Sequence, residues 1–209
     1  MRLRITFTKT EEMRYTGHLD LHRTWERIFR RAGLPIAYSQ GFHPQPRINL
    51  ACALPLGFTS QAEIADIWLE ETLRLEQVSQ ALVQVLPPGL TLVNVSSVEM
   101  SAPSLQTQVN ASEYIVTLLD PVENLDERVE EVVNAASLPR ERRGKTYDLR
   151  LLIEELVQIS NDELGRACLK MRLLAQEGAT GRPEEVLNAL DIVPEAARVH
   201  RTRLYFQTQ

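Results

Sequence analysis

The chain has 209 residues, 44% hydrophobic and 24% charged, which suits a globular protein and excludes a disordered tail, a collagen-like fibre or a coiled coil. Its 23 basic and 28 acidic residues leave a net charge of -5, so the whole chain is no polycation. With only Cys52 and Cys168, it holds no disulfide scaffold, no CxxC zinc ribbon and no CxxxCxxC iron–sulfur loop.

That length suffices for one large domain or two of about 100 residues each. Both cysteines sit in apolar stretches and read as buried core thiols. No apolar run approaches the roughly 18–20 residues of a membrane helix. The opening MRLRITFTKTEEMRY has no apolar core of a signal peptide, so the expectation is a cytoplasmic protein without a membrane partner. No GxxxxGK[ST], GxGxxG, GxSxG or HExxH occurs, and no cofactor is expected from motifs.

Leu3, Ile5 and Phe7 alternate with Arg2, Arg4 and Thr6, which predicts a half-buried strand over residues 2–8 with the polar set facing water. Leu21, Trp25, Ile28, Phe29 and Ala32 make one helical stripe, stopped by Gly33 and Pro35. A polar loop follows from Tyr38 to Arg47. Strands are predicted over 48–56 and 63–70, joined by a turn at Gly57. Leu75, Val78, Leu82 and Val85 mark a second helix ending at Pro87-Pro88-Gly89, and residues 90–98 read as a strand.

The uncharged stretch 101–112 reads as a linker. The pattern then repeats. A strand over 114–119 precedes a helical stripe of Val122, Leu125, Val129, Val132, Val133 and Ala136. A basic loop over 139–145 leads to a strand pair at 147–159 and 167–176. Pro183 suits the first turn of a helix with Val186, Leu187 and Leu190, and 199–206 reads as the last strand. The expected fold is α+β: a tandem duplication of a ferredoxin-like βαββαβ module with antiparallel sheets, at 1–100 and 113–209.

Charge is unevenly spread. Residues 1–50 carry nine Arg or Lys against four Asp or Glu, whereas 51–100 carry one against six. Only Lys9, Lys145 and Lys170 are lysines, and arginine is the better residue for bidentate phosphate contacts and base stacking. Arg23, Arg27 and Arg30, with Arg31 beside them, form a ridge opposite the Trp25/Phe29 stripe. Glu26 stands four residues before Arg30, so an ion pair there is the bland alternative. Arg140, Arg142, Arg143 and Lys145 make a second basic cluster around Gly144.

The densest motif runs from Thr16 to Gly57. His18 and His22 have a spacing that can share a metal, with His43 as a third candidate. Asp20, however, points about 200° from His18 on a regular helix, so no metal is assigned. Asp20 suits a first-turn acid at a helix N-terminus. Gly41, Phe42, His43 and Arg47 lie in a loop holding Pro44 and Pro46. Such a loop can stack a base and hold a phosphate, or it can be merely a rigid connection.

The run His18-Leu19-Asp20, Arg23, Arg30-Arg31-Ala32-Gly33-Leu34-Pro35, Tyr38-Ser39-Gln40-Gly41-Phe42, Pro44, Pro46-Arg47 and Leu54-Pro55-Leu56-Gly57 resembles the radical-SAM-associated family of unknown function. Members of that family stand alone or are fused behind a B12-binding radical SAM domain. The match is strongest over residues 2–70. Gly17 and Gln45 depart from it, where the family usually has Ser and often has His. The resemblance implies a radical SAM partner and implies no reaction.

Three functions are weighed. The first is a non-catalytic RNA-binding adaptor that presents tRNA or rRNA to the radical SAM enzyme. The second is a protein–protein adaptor for that enzyme without nucleic acid. The third is an RNA-processing enzyme, with His18 as general acid or base and Asp20 or Arg47 assisting. The first is preferred, with Arg23, Arg27, Arg30, Arg31, Gly41, Phe42, His43, Arg47, Arg140, Arg142, Arg143 and Lys145 as its contacts.

Overall fold

Leu3, Ile5 and Phe7 do alternate inward on strand β1 (Arg2–Lys9), and all three are fully buried. A computed structural model describes residues 1–142, 144–176 and 178–207, divided into two compact units, Met1–Gln108 and Val109–Gln209. Each is α+β with an antiparallel sheet.

In the first unit β1 is followed by a 3₁₀ turn (Glu11–Met13) and helix α1 (His18–Arg31). Then come β2 (Ile48–Leu50), β3 (Thr59–Trp68), α2 (Leu75–Val83), β4 (Leu90–Val98) and the one-turn helix α3 (Leu105–Gln108). The strands lie in the order β2-β3-β1-β4, every pair antiparallel. The apolar faces of α1 and α2 cover one side of this sheet. Trp25 packs edge-on against Phe7, ring centroids 4.7 Å apart, and stacks on Phe29 at 5.2 Å.

The opposite side of β1 departs from the expected solvent face. Arg2 is buried, and its guanidinium donates to the fully buried Asp66 (Nη2 to Oδ2, 2.7 Å) and to the carbonyls of Ala102 and Pro103. Arg4 donates to Asp66 as well (Nε to Oδ1, 2.8 Å). Lys9 is buried too, with Nζ on the Arg14 and Phe58 carbonyls. Alternation alone reports which side faces the helices. It cannot report that residues 102–108 fold back over the other.

The predicted strand over 48–56 shrinks to three residues: pairing with β3 ends just after the Ala51 N–H on the Ile64 carbonyl (2.9 Å), and the Phe58 N–H on the Pro55 carbonyl closes a turn. Its apolar residues are nonetheless core: Leu54 is buried without being in a strand. Cys52, just past β2, is only half-buried, whereas Cys168 is buried as expected.

The segment read as a linker is structured. It holds α3, whose Leu105 is fully buried, and the start of β5 (Val109–Leu118). Asn110 and Ser112 interrupt the apolar pattern there, while Val109 and Ala111 face the core. The second unit continues with α4 (Leu125–Asn134), β6 (Pro139–Arg142), β7 (Lys145–Asp148), β8 (Ile153–Ile159), β9 (Cys168–Gln176), β10 (Ala179–Thr180), α5 (Pro183–Ala189) and β11 (Ala197–Phe206). Its strands run β8-β9-β5-β11, with the short β10 also on β9.

The expected basic loop is a hairpin, β6 on β7, and the single strand expected over 147–159 is cut in two. Asp148 makes the cut: its Oδ1 accepts the N–H groups of Leu138 (2.8 Å) and Arg150 (2.9 Å) and so folds a 3₁₀ turn at Arg150–Leu152. No described helix is long and apolar enough to cross a membrane.

Candidate nucleic-acid interface

Helix α1 starts at His18, with Gly17 as its extended N-cap, and the C-terminal end closes with the Leu34 N–H on the Phe29 carbonyl. At about 100° per residue, Arg30, Arg23, Arg27 and Arg31 span an arc of about 100° opposite the buried stripe. All four are exposed. Asp20 pairs with Arg23 at 3.4 Å (Oδ1 to Nη1), an exposed contact of little energetic weight. Among the described residues, no hydrogen bond or ion pair engages the guanidinium of Arg27, Arg30 or Arg31.

The ridge borders two clefts. The first, of 460 Å³, has Asp20, Arg23, Thr24, Arg27 and Arg31 along one wall, with Met13, Thr16 and Pro87 across from them. Gly89 holds that far wall in place. Its φ is +89°, and its carbonyl accepts the Thr10 N–H at 2.9 Å. A Cβ there would lie 2.5 Å from Met13 Cγ and 2.9 Å from the Met13 nitrogen.

The second cleft, of 380 Å³, lies on the other side of α1. Glu26, Arg30, Tyr38, Pro46 and Glu70 rim it, over Phe29, Ile36 and Ile48. The structure thus brings Arg23, Arg27 and Arg31 together and turns Arg30 to a different neighbourhood. The ion pair of Glu26 with Arg30, the alternative weighed for the ridge, does not form among the described residues, and Glu26 Oε1 pairs instead with His22 Nδ1 at 3.1 Å. The Nε2 of His22 lies 3.3 Å from the Ile48 carbonyl, so this ring ties α1 to β2.

Residues 39–45 form a loop pinched at its neck by the Ser39 N–H on the Gln45 carbonyl (2.8 Å) and the Gln45 N–H on Ser39 Oγ (3.0 Å). Gly41 has φ +135°, and Phe42 at the tip is fully exposed. His43 is exposed beside it. Arg47 lies outside the loop tip, its guanidinium 4.7 Å above the Trp68 ring centroid. His18 is half-buried and, both being helical, points about 200° away from Asp20. Asp20 lines the first cleft and His18 does not. Among the described residues no group of three or more His, Cys, Asp or Glu is placed to hold a metal.

Arg140, Arg142 and Lys145 belong to the second unit, on the β6–β7 hairpin, with Arg142 opposite Lys145 in register. Arg143 lies outside the described residues. Arg142 and Lys145 border a 560 Å³ cleft with Tyr147, Leu151 and Thr180. Burial pushes the Tyr147 hydroxyl above its ordinary range, and the Glu185 charge adds to that against the nearby arginines. Sequence reading found the arginines of α1 by their spacing. It missed Met13, Pro87, Tyr38 and Glu70, which only long-range packing brings beside them.

Fold and site together define an α+β protein of two units with a basic, aromatic-flanked helix in the first. The chain belongs to a family of uncharacterized proteins conserved in bacteria, DUF2344, whose model matches residues 2–183. No curated protein matches it in sequence. Among solved structures it is similar to a chain of a Cbf5–Nop10–Gar1 complex, with 10% identity and a TM-score of 0.51 over 97% of this chain and 48% of that one. A chain of an archaeal box H/ACA sRNP Nop10–Cbf5 complex gives 10% identity and a TM-score of 0.47, over 97% of this chain and 47% of that one. At such identity the first likeness is one of fold alone, and this chain spans about half the length of those it matches.

Proposed function

We propose that this chain is a non-catalytic RNA-binding adaptor that acts in the cytoplasm and presents tRNA or rRNA to a radical SAM enzyme. The observation that carries the reading is the exposed face of α1, where Arg23, Arg27 and Arg31 share one cleft and two of the three guanidiniums have no protein partner among the described residues. Arginines four residues apart along a helix, about 6 Å per step, offer bidentate donors to successive phosphates. The partnership with a radical SAM enzyme rests on the resemblance of the His18–Gly57 motif. The reading gives the chain no reaction of its own.

We further read each unit as one ferredoxin-like βαββαβ copy. Its support is the common strand order, β2-β3-β1-β4 in one unit and β8-β9-β5-β11 in the other, each with two helices between the same strands. Fluorescence anisotropy with a cellular tRNA and rRNA pool, from low to high salt, tests the function. Binding should weaken with a log–log slope of several phosphates' worth of released counterions. Arg27→Glu with Arg31→Glu should lower affinity on the order of 100-fold at low salt while melting stays unchanged. Equal binding by that double variant would overturn the reading.

A further inference from the structure

The chain has five Tyr, five Phe and two Trp. Among the described residues, the aromatic side chains exposed in large part are Tyr15 (72%), Tyr38 (46%) and Phe42 (fully), and all three flank α1 in sequence. They also flank it in space. Tyr15 directly precedes Thr16, a wall residue of the first cleft, and Tyr38 rims the second beside Arg30. Phe42 tops the loop whose neck adjoins Tyr38.

Phosphate neutralisation does not require such rings. A duplex keeps its bases stacked inside, so a protein that reads only its backbone gains nothing from exposed aromatic faces. An unpaired strand offers base faces that stack on aromatic side chains, irrespective of sequence. The two clefts also differ in what they accept. The first is arginine-walled and suits phosphate. The second carries Glu26 and Glu70 with Arg30 on its rim, over an apolar floor. Two carboxylates repel phosphate but accept hydrogen bonds from the amino groups of bases. Its 380 Å³ lies in the range of small-ligand sites.

We propose that α1 and the 39–45 loop bind a single-stranded RNA segment, its phosphates on Arg23, Arg27 and Arg31 and one unpaired base in the cleft between Arg30 and Tyr38. This rests on the RNA-binding reading and deepens it: the adaptor takes hold of a loop or end, not a helix.

The experiment compares a short unstructured RNA strand with the duplex formed by that strand and its complement, by anisotropy at one low salt concentration. The proteins are the full chain, Tyr38→Leu with Phe42→Leu, and Arg27→Glu with Arg31→Glu. Leucine keeps apolar bulk and removes the ring, and both sites are exposed, so melting should not change. The unaltered protein should favour the single strand on the order of tenfold, and the double leucine variant should lose about that factor on the strand alone. The double glutamate variant should lose affinity for both ligands. Equal affinity for strand and duplex, or leucine substitutions without effect on the strand, would overturn the single-strand assignment, and the RNA-binding reading would survive if the glutamate variant still weakened. Absence of binding to either ligand would overturn both.

Discussion

Helices α1 and α4 hold the same place in their units, each following the first strand, and their outer faces carry opposite charge. Both bury an apolar stripe: Leu21, Trp25, Ile28 and Phe29 on α1, and Leu125, Val129 and Val132 on α4. Around the rest of the cylinder α1 exposes Arg23, Arg27, Arg30 and Arg31, whereas α4 exposes Asp126, Glu127, Glu130 and Glu131. Folding constrains the buried third of such a helix and leaves the outer positions free. Those positions are therefore where two helices in the same place of their units can differ in charge.

Particular ion pairs differ in enclosure too. The first unit encloses charge, with Asp66 fully buried between Arg2 and Arg4. The second unit buries Arg201 as fully, but its ion pair of Lys170 with Glu155, at 2.6 Å, is open, with both side chains about a third exposed. Glu113 on β5 accepts from Thr202 (2.7 Å) and Tyr205 (2.9 Å).

The largest effect should come from Asp66→Ala, which leaves the enclosed Arg2 guanidinium without its carboxylate. A loss of about 3–5 kcal/mol by chemical denaturation is expected, against under about 1 kcal/mol for Glu155→Gln. Equal costs would erase the distinction between enclosed and open ion pairs.

A charge swap on α4 is next. Glu127→Lys with Glu131→Lys should add RNA binding on the order of tenfold at low salt, steeply salt-dependent. It should not discriminate strand from duplex, since no described exposed ring lies in the second unit. A swapped α4 with the single-strand preference expected of α1 would show that charge alone makes the site.

The smallest effects are in pH. Burial raises Glu113, but the Thr202 and Tyr205 hydrogen bonds and the Lys170 and Arg203 charges outweigh it and hold the carboxyl below its ordinary range. Its contribution is present above pH 4.5 and fades as pH falls through the lowered folded value. Glu184 runs the other way. Burial raises it, and its Oε2 has no hydrogen-bond partner among the described residues. Stability therefore declines as pH climbs from 4.5 toward that raised value. Denaturation midpoints against pH should show a shallower acid limb in Glu113→Gln and a gain near neutrality in Glu184→Gln. Parallel curves for both variants and the unaltered chain would contradict these shifts.

The long periodic elements were legible in the sequence. β1, α1, α2 and β4 follow from spacing, because one-sided burial leaves a period behind. The short elements were not. β6 and β7 pair with each other in a hairpin of four-residue arms too short to leave a period, α3 is a single turn held by the burial of Leu105 and the distant Arg4 contact to Gln108, and a central strand such as β5 can carry Asn110 and Ser112 without a visible alternation. The charge count of residues 1–50 was correct as arithmetic and misleading as surface, since Arg2, Lys9 and Arg14 are buried. The ridge on α1 was visible because exposed arginines at helical spacing need no partner to be recognised. Its division into two clefts was not, because Tyr38, Pro46 and Glu70 on one side, and Met13 and Pro87 on the other, reach it only through the fold.

Gly89 has a consequence for genetics. Any side chain there must push the 11–13 turn aside, and Met13 is the wall that faces Arg27 and Arg31. A selection for alleles that fold yet lose RNA should therefore return substitutions at a position with no charge and no ring, far along the chain from the helix it affects. The geometry of the cleft is inherited through that turn as much as through the arginines.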